Sequence, residues 1–556
     1  MKKESFKKVL ALALSAIMAW GFVACGVDKD DDSSSKRASF AAGSSLYSDS
    51  DSDSSKKNTS SDSSADSSSW WDSSSSSDSS ADSSSWWDSN SSSDFSSDSS
   101  SDSSSDSSSS EDAEQGVVPY DGSEVKITFY HTMGANLRTV LDKYIPKFNE
   151  KYPNITVKHD MMGDYPALRD QISMELTAGH SPSLAYCYPD HVARYNIAKA
   201  TLPLDGYIAS TDLVMGANGS VESMGMSQAQ LDDFIPVFFE EGRAYGDGFT
   251  YTLPMSKSTE VLYYNKTFFE EYDLDVPTTW EEMEEVCAQI KEIDSQCIPL
   301  GYDSEENWFI TMTQQLNTPY TTISGDDHFL FNTAENRAFV EKFTTWHQKG
   351  YVTTEEILGN YTSEIFTETE AGRMKCYMCI ASSAGASYQC PDRGEDGNYP
   401  FEVGVAMIPQ ANPEAPKAIQ QGPSLCLFKK ENPQEQAAAW LFAKFLTTNV
   451  EFQAQFSMTN GYTPVIKSVQ ENVVYQDFLS KTDGNQYLQA IVIKQSLAQV
   501  DAYFTLPAFN GSSVARDEVG KLMQTCFINA PKDGAVAFIE AEFKKTVDTL
   551  VYYYGF

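Results

Sequence analysis

Two α/β lobes behind a long polar leader is the architecture this sequence predicts, and three observations carry it. Apolar residues recur with strand and helix periods in alternation from Ser123 onward. The part that shows this alternation is too long for one compact core. The stretch between an N-terminal apolar run and that part is dominated by serine and aspartate.

The N-terminus reads as a processing signal. Lys2, Lys3, Lys7 and Lys8 give a positive start, and Val9–Ala24 is an apolar run too short for a membrane span. It closes on Phe22-Val23-Ala24-Cys25-Gly26. A small residue before a cysteine at this place resembles the bacterial lipobox, although Phe22 stands where leucine is usual. Residues 1–24 are therefore expected to be a lipoprotein signal peptide and Cys25 the lipidated residue. Its acyl chains hold a membrane through about 0.8 kcal/mol per buried methylene.

Residues 25–118 are expected to form a disordered tether, since serine and aspartate bury too little apolar area to offset chain entropy. Within it DSSADSSSWWDS occurs at Asp62–Ser73 and again at Asp78–Ser89, with tryptophan pairs Trp70-Trp71 and Trp86-Trp87. The repeat reads as spacer.

The folded part opens on Val125, Ile127 and Phe129, which alternate with polar residues as in a strand. Leu137, Val140, Leu141, Tyr144, Ile145 and Phe148 then keep helical spacing until Pro153. Ile155–Val157 restarts a strand. Tyr165–Ala178 forms an amphipathic helix through Leu168, Ile172 and Leu176, with Gly179 ending it. Ser183–Tyr188 is a third strand. This alternation predicts a parallel sheet. Further helices are expected at Thr279–Ile293, where Thr279 is the N-cap, at Pro433–Leu446 and at Asp533–Tyr552.

A net charge of −39 argues against nucleic acid, whose phosphates need a basic footprint. Beyond Cys25 the cysteines are Cys187, Cys287, Cys297, Cys376, Cys379, Cys390, Cys426 and Cys526, too sparse for a disulfide framework. Cys376-x-x-Cys379 lies in an apolar, strand-like run without a second ligand pair, so buried thiols are expected there. The histidines 131, 159, 180, 191, 328 and 347 form no metal-spaced pair, and no nucleophile elbow, zinc-protease helix, phosphate loop or dinucleotide loop occurs. With 79 acidic residues a glycosidase carboxylate pair can always be nominated, so that search has no weight. No catalytic residue, metal or cofactor is assigned. Among the tryptophans, Trp346 and Trp440 keep core-like spacing, and Trp280, at the first helical position after the Thr279 cap, reads as structural. Trp308 follows Asp303-Ser304-Glu305-Glu306-Asn307, a setting that suits stacking on a sugar.

From Ser123 to the C-terminus the chain resembles the extracellular solute-binding proteins of ABC importers, family 1. The resemblance rests on ITFYHTMG (Ile127–Gly134), FNEKYPNITV (Phe148–Val157), GDYPALRDQISMELTAG (Gly163–Gly179) followed by Ser181-Pro182, and LPMSKSTEVLYYNKTFFEEYDLDVPTTWEEM (Leu253–Met283). CIASSAG (Cys379–Gly385), QGPSLCLF (Gln421–Phe428) and NGYTPV (Asn460–Val465) follow in order. It implies a two-lobed, periplasmic-binding-protein-like clamp of type II, with 119–258 plus 420–450 in the N-terminal lobe and 259–419 plus 451–556 in the C-terminal lobe. The clamp closes on a sugar or oligosaccharide and delivers it to the transmembrane permease subunits of the importer. The protein is then a monomer without enzyme activity, anchored at Cys25 on the extracellular or periplasmic side.

The segments HTMG, STEVLYYNK, ASSAG and NGYTP resemble the glycerol-3-phosphate-binding branch. Position by position, that branch implies ligand contacts at Tyr165, Ser258, Trp308, Ser382, Ser383, Gly422 and Tyr462. Asp190 substitutes for a carboxylate that the branch places just after the third strand. The branch also has an arginine before the C-terminal helices. Val500–Asn510 has none, and Arg516 lies further on. A phosphate without a bidentate arginine loses its best partner, so a neutral sugar is favoured. Glycerol 3-phosphate, or a related phosphodiester, and a surface carbohydrate sensor or adhesin are the alternatives.

Overall fold

The computed structural model describes residues 117–484 and 486–555. The signal segment, Cys25 and both tryptophan pairs lie outside the described residues.

The first sheet has five strands in the order β2-β1-β3-β13-β6. β1 (Val125–His131), β2 (Ile155–Met161) and β3 (Leu184–Cys187) are parallel, as the alternation predicts, and the helices Ala135–Lys151 and Tyr165–Thr177 connect them. In β1 the residues Ile127, Phe129 and His131 point inward. Leu137, Val140, Leu141, Tyr144 and Phe148 form the buried stripe of the first helix. β6 (Thr252–Pro254) and β13 (Ser424–Leu427) add antiparallel strands, which the local pattern does not predict because both arrive from distant sequence. A hairpin of β4 (Leu213–Met215) and β5 (Val221–Ser223) lies apart from both main sheets.

The second sheet has seven strands and centres on β7 (Ser258–Asn265). β10 (Met378–Ser382) pairs along one edge of it, and β11 (Val403–Met407) and β12 (Ala418–Gln421) share the other. β8 (Leu300–Tyr302) and β9 (Val352–Thr354) extend the sheet beyond β10, and β14 (Tyr503–Phe504) extends it beyond β12. Helices cover both faces, so the Val261–Tyr263 part of β7 is apolar and buried on both sides. Leu262 enters one core with Trp280, Trp308, Phe343 and Trp346, and Val261 and Tyr263 enter another with Leu488 and Val492. Thr279 caps the helix Trp280–Ile293 through a reciprocal box with Glu282. Residues 451–478, assigned to the second lobe from the sequence, instead put Phe452, Phe456, Val465 and Phe478 into the core of the first sheet.

The chain passes between the sheets at adjacent points. Met255-Ser256-Lys257 leads from β6 to β7, and Gly422-Pro423 returns from β12 to β13. The amides of Met255 and Ser256 donate to the Pro423 carbonyl at 3.1 and 3.3 Å. Gly422 has φ +90°, and a Cβ there would meet the Ser256 carbonyl oxygen at 2.6 Å, so only glycine fits the crossing. Lys257 also pairs with Thr463 through backbone hydrogen bonds in both directions. No helix among the described residues is long and apolar enough to cross a membrane.

Candidate functional site

The crossing is held by a buried ion pair. Lys257, fully buried, pairs through Nζ with Glu241 and donates to Ser424 Oγ at 2.9 Å and to the Gly422 carbonyl at 3.3 Å. Gln420 Nε2 donates to the other Glu241 oxygen at 2.9 Å. One lysine thus binds both passing segments.

Beside this crossing a cavity opens between the lobes. Tyr188, Pro189 and Asp190 line it from the first sheet. Tyr320, Gln420, Gln421, Phe504, Ser512 and Arg516 line it from the second. The helix Ser512–Asn529 contributes Ser512 and Arg516, one turn apart on the same face. Polar atoms converge here without protein partners: the Tyr320 hydroxyl and the side-chain carbonyls of Gln420 and Gln421, all on buried residues. Such atoms favour a guest that brings hydrogen-bonding groups of its own. Burial raises the Asp190 carboxyl above its ordinary range, and the Arg516 and Arg169 guanidiniums partly oppose it.

Of the expected contact residues one lines this wall, and two lie behind it. Asp190 lines the cavity. Tyr165 stacks on the lining residue Tyr188 with ring centroids 4.4 Å apart, and Tyr462 lies beside Tyr165. Three others serve the crossing. Ser258 pairs with Gln421 in the strand register, Ser383 Oγ accepts from the Thr259 amide at 3.2 Å, and Gly422 makes the turn. Ser382 caps the short helix after β10 through the Ala384 amide.

Trp308 is a correction. It is fully buried, with Tyr302 stacked on it at 4.5 Å and Phe343 at 4.3 Å, so its ring has no face left for a sugar. The polar residues around it belong to a helix start: Ser304 Oγ caps the helix Glu305–Gln315 through the Asn307 amide. Trp346 and Trp440 are buried in the cores, as their spacing predicts, and Trp280 is buried with them.

Arg516 is the residue the sequence places outside the site and the structure places in it. Its signal was one helical turn from Ser512, but nothing local announces which face of that helix meets the cleft. Among the described residues no group of histidines, cysteines or carboxylates could hold a metal ion. Cys376 and Cys379 are buried, with Cys379 Sγ 3.0 Å from the Thr362 hydroxyl.

Residues 143–479 match the family described as bacterial extracellular solute-binding protein. The sn-glycerol-3-phosphate-binding periplasmic protein UgpB of Escherichia coli K12 is 23% identical over 376 residues, which is 64% of this chain and 78% of that protein. Among solved structures, UgpB from Mycobacterium tuberculosis in complex with glycerophosphocholine superposes with a TM-score of 0.60 at 17% identity, covering 77% of this chain and 98% of that one. Maltose-bound MalE3 of T. maritima gives 0.58 at 18% identity, covering 77% and 99%. These likenesses establish the two-lobed fold.

Proposed function

The chain belongs to the bacterial extracellular solute-binding proteins, and from that premise we propose that it captures a sugar or oligosaccharide between its lobes and hands it to an ABC permease. The cavity wall carries the reading. It combines the aromatic rings of Tyr188 and Tyr320 with a carboxylate, a guanidinium and buried amide and hydroxyl groups that lack partners. Sugar hydroxyls supply the missing hydrogen bonds, and apolar sugar faces suit the rings. Closure follows from the geometry. A ligand touching Asp190 and Arg516 together stabilises only the state in which the lobes meet, and so shifts the population toward it. The protein binds without covalent chemistry. In this reading Cys25 is its lipid anchor, and residues 25–118 tether the clamp to it outside the cytoplasm.

Arg516 supports a second reading, a glycerol phosphate or phosphodiester ligand, because a guanidinium in the cavity is a phosphate partner. A thermal-shift panel of sugars, oligosaccharides and glycerol phosphates separates the two. A ligand at 100 times its dissociation constant adds about 2.7 kcal/mol of stability. A shift with uncharged sugars alone supports the first reading, and a shift with phosphates alone supports the second.

A further inference from the structure

Arg516 is the only cation among the residues that line the cavity. Its Nη2 donates to Asn307 Oδ1 and lies 3.9 Å from Glu306 Oε1. Glu306 packs closely against Gly520. A Cβ on Gly520 would come within 3.2 Å of the Glu306 Cβ and 3.3 Å of its Oε2. Gly520 is one turn beyond Arg516 on the helix Ser512–Asn529, and its φ is not in the left-handed region, so what it supplies here is space for the glutamate. Across the cavity Asp190 faces the same guanidinium from the other lobe. The other lining carboxylate, Glu241, is committed to Lys257.

We propose that Glu306 sets the charge class of the ligand: it occupies Arg516 so that the cavity takes uncharged polyhydroxyl solutes and rejects phosphate esters. This rests on the solute-binding reading above. A phosphate needs a guanidinium with its fork open. Here one nitrogen of the fork is taken by Asn307, Glu306 sits in ion-pair range of the same nitrogen at 3.9 Å, and an entering dianion also faces Asp190. Discrimination by placed like charge is a common route to specificity. Arg516 then serves as a donor to hydroxyl oxygens.

The test is calorimetric titration of sn-glycerol 3-phosphate, with maltotriose and other uncharged sugars in parallel, into the full chain. The forms compared are wild type, Glu306→Gln, Asp190→Asn and Glu306→Gln/Arg516→Gln, each checked by its melting curve. Glu306→Gln is expected to bind glycerol 3-phosphate roughly ten- to a hundred-fold tighter than wild type, the span of one charge-assisted hydrogen bond. Asp190→Asn gains less, and the double variant loses the gain. Should Glu306→Gln fail to fold, Asp190→Asn decides by the same sign. Wild type binding glycerol 3-phosphate as tightly as Glu306→Gln overturns the proposal and leaves the solute-binding reading standing. A folded Glu306→Gln without any gain also overturns it. No binding of any solute by any form overturns both.

Discussion

Arg169 and Asp517 join the two lobes at 3.2 Å. Arg169 Nη1, on the helix Tyr165–Thr177 of the first lobe, meets Asp517 Oδ2 on the helix Ser512–Asn529 of the second. The same nitrogen donates to Ser513 Oγ at 2.7 Å, and Arg169 Nε reaches Asp170 at 3.1 Å. Ser513 and Asp517 are one turn apart, as are Ser512 and Arg516 beside them. One helix therefore grips the opposite lobe with one face and lines the cavity with the next.

This latch exists only when the lobes meet, so it stabilises the closed state. Asp517 is about one third exposed, which limits the pair to about 1 kcal/mol. Asp517→Asn should weaken ligand binding about five-fold, mostly through faster dissociation, while the melting temperature of the unliganded protein changes little. Stopped-flow dissociation of a bound solute checks it.

Lys257 is fully buried, and removing it leaves Glu241 without its cation at the crossing. Lys257→Met should cost about 3–5 kcal/mol of stability, whereas Lys257→Met with Glu241→Leu should recover much of the loss. Denaturant titration of the single and double variants measures both.

His131 ends β1 and holds the loop that follows. Its Nδ1 accepts from the Met133 amide at 3.1 Å, so its Nε2–H faces His159 Nδ1 at 2.8 Å, and His159 Nε2 then donates to Asp142 at 2.9 Å. Burial, with His159 and Arg138 nearby and Asp160 opposing, pushes the His131 imidazole down to about 3. Its folded pKa lies below the unfolded value near 6.5, so its contribution is complete above about pH 6.5 and is lost as pH falls toward 3. Wild type should lose stability relative to His131→Gln across that window. Denaturation series at pH 7, 5.5 and 4.5 test this.

Glu260 runs the other way. Burial pushes its carboxyl up to about 8, although the Tyr302 hydroxyl donates to it at 2.6 Å. A carboxyl raised in the fold contributes fully below its unfolded value near 4.5 and loses that contribution as pH rises toward 8. Relative to Glu260→Gln, wild type should lose on the order of 2 kcal/mol between pH 5 and 8. The same denaturation series, extended to pH 8, reads it.

The first three strands and their helices were legible because their apolar periods are local. Strands β6 and β13 were not, since both pair across long sequence separations. At the site, Asp190 lines the cavity, and Tyr165 and Tyr462 are packed behind the lining residue Tyr188. Ser258, Ser383 and Gly422 share the residue chemistry of ligand contacts but serve the crossing, and sequence does not separate a hydroxyl that caps a strand from one that meets a guest. Trp308 misled for a related reason. Its polar neighbours Glu305 and Asn307 are themselves buried, through a helix cap that no local period reveals.

The claim that the cavity between the lobes is the binding site meets its most direct test in one titration. An uncharged sugar that raises the melting temperature is titrated calorimetrically into wild type and into Gln421→Ala, whose amide carbonyl lines the cavity without a partner. The expected result is one site per chain in wild type and an affinity loss of roughly ten-fold in the variant, about one hydrogen bond. Equal affinity in the two proteins would contradict the account and place the ligand elsewhere.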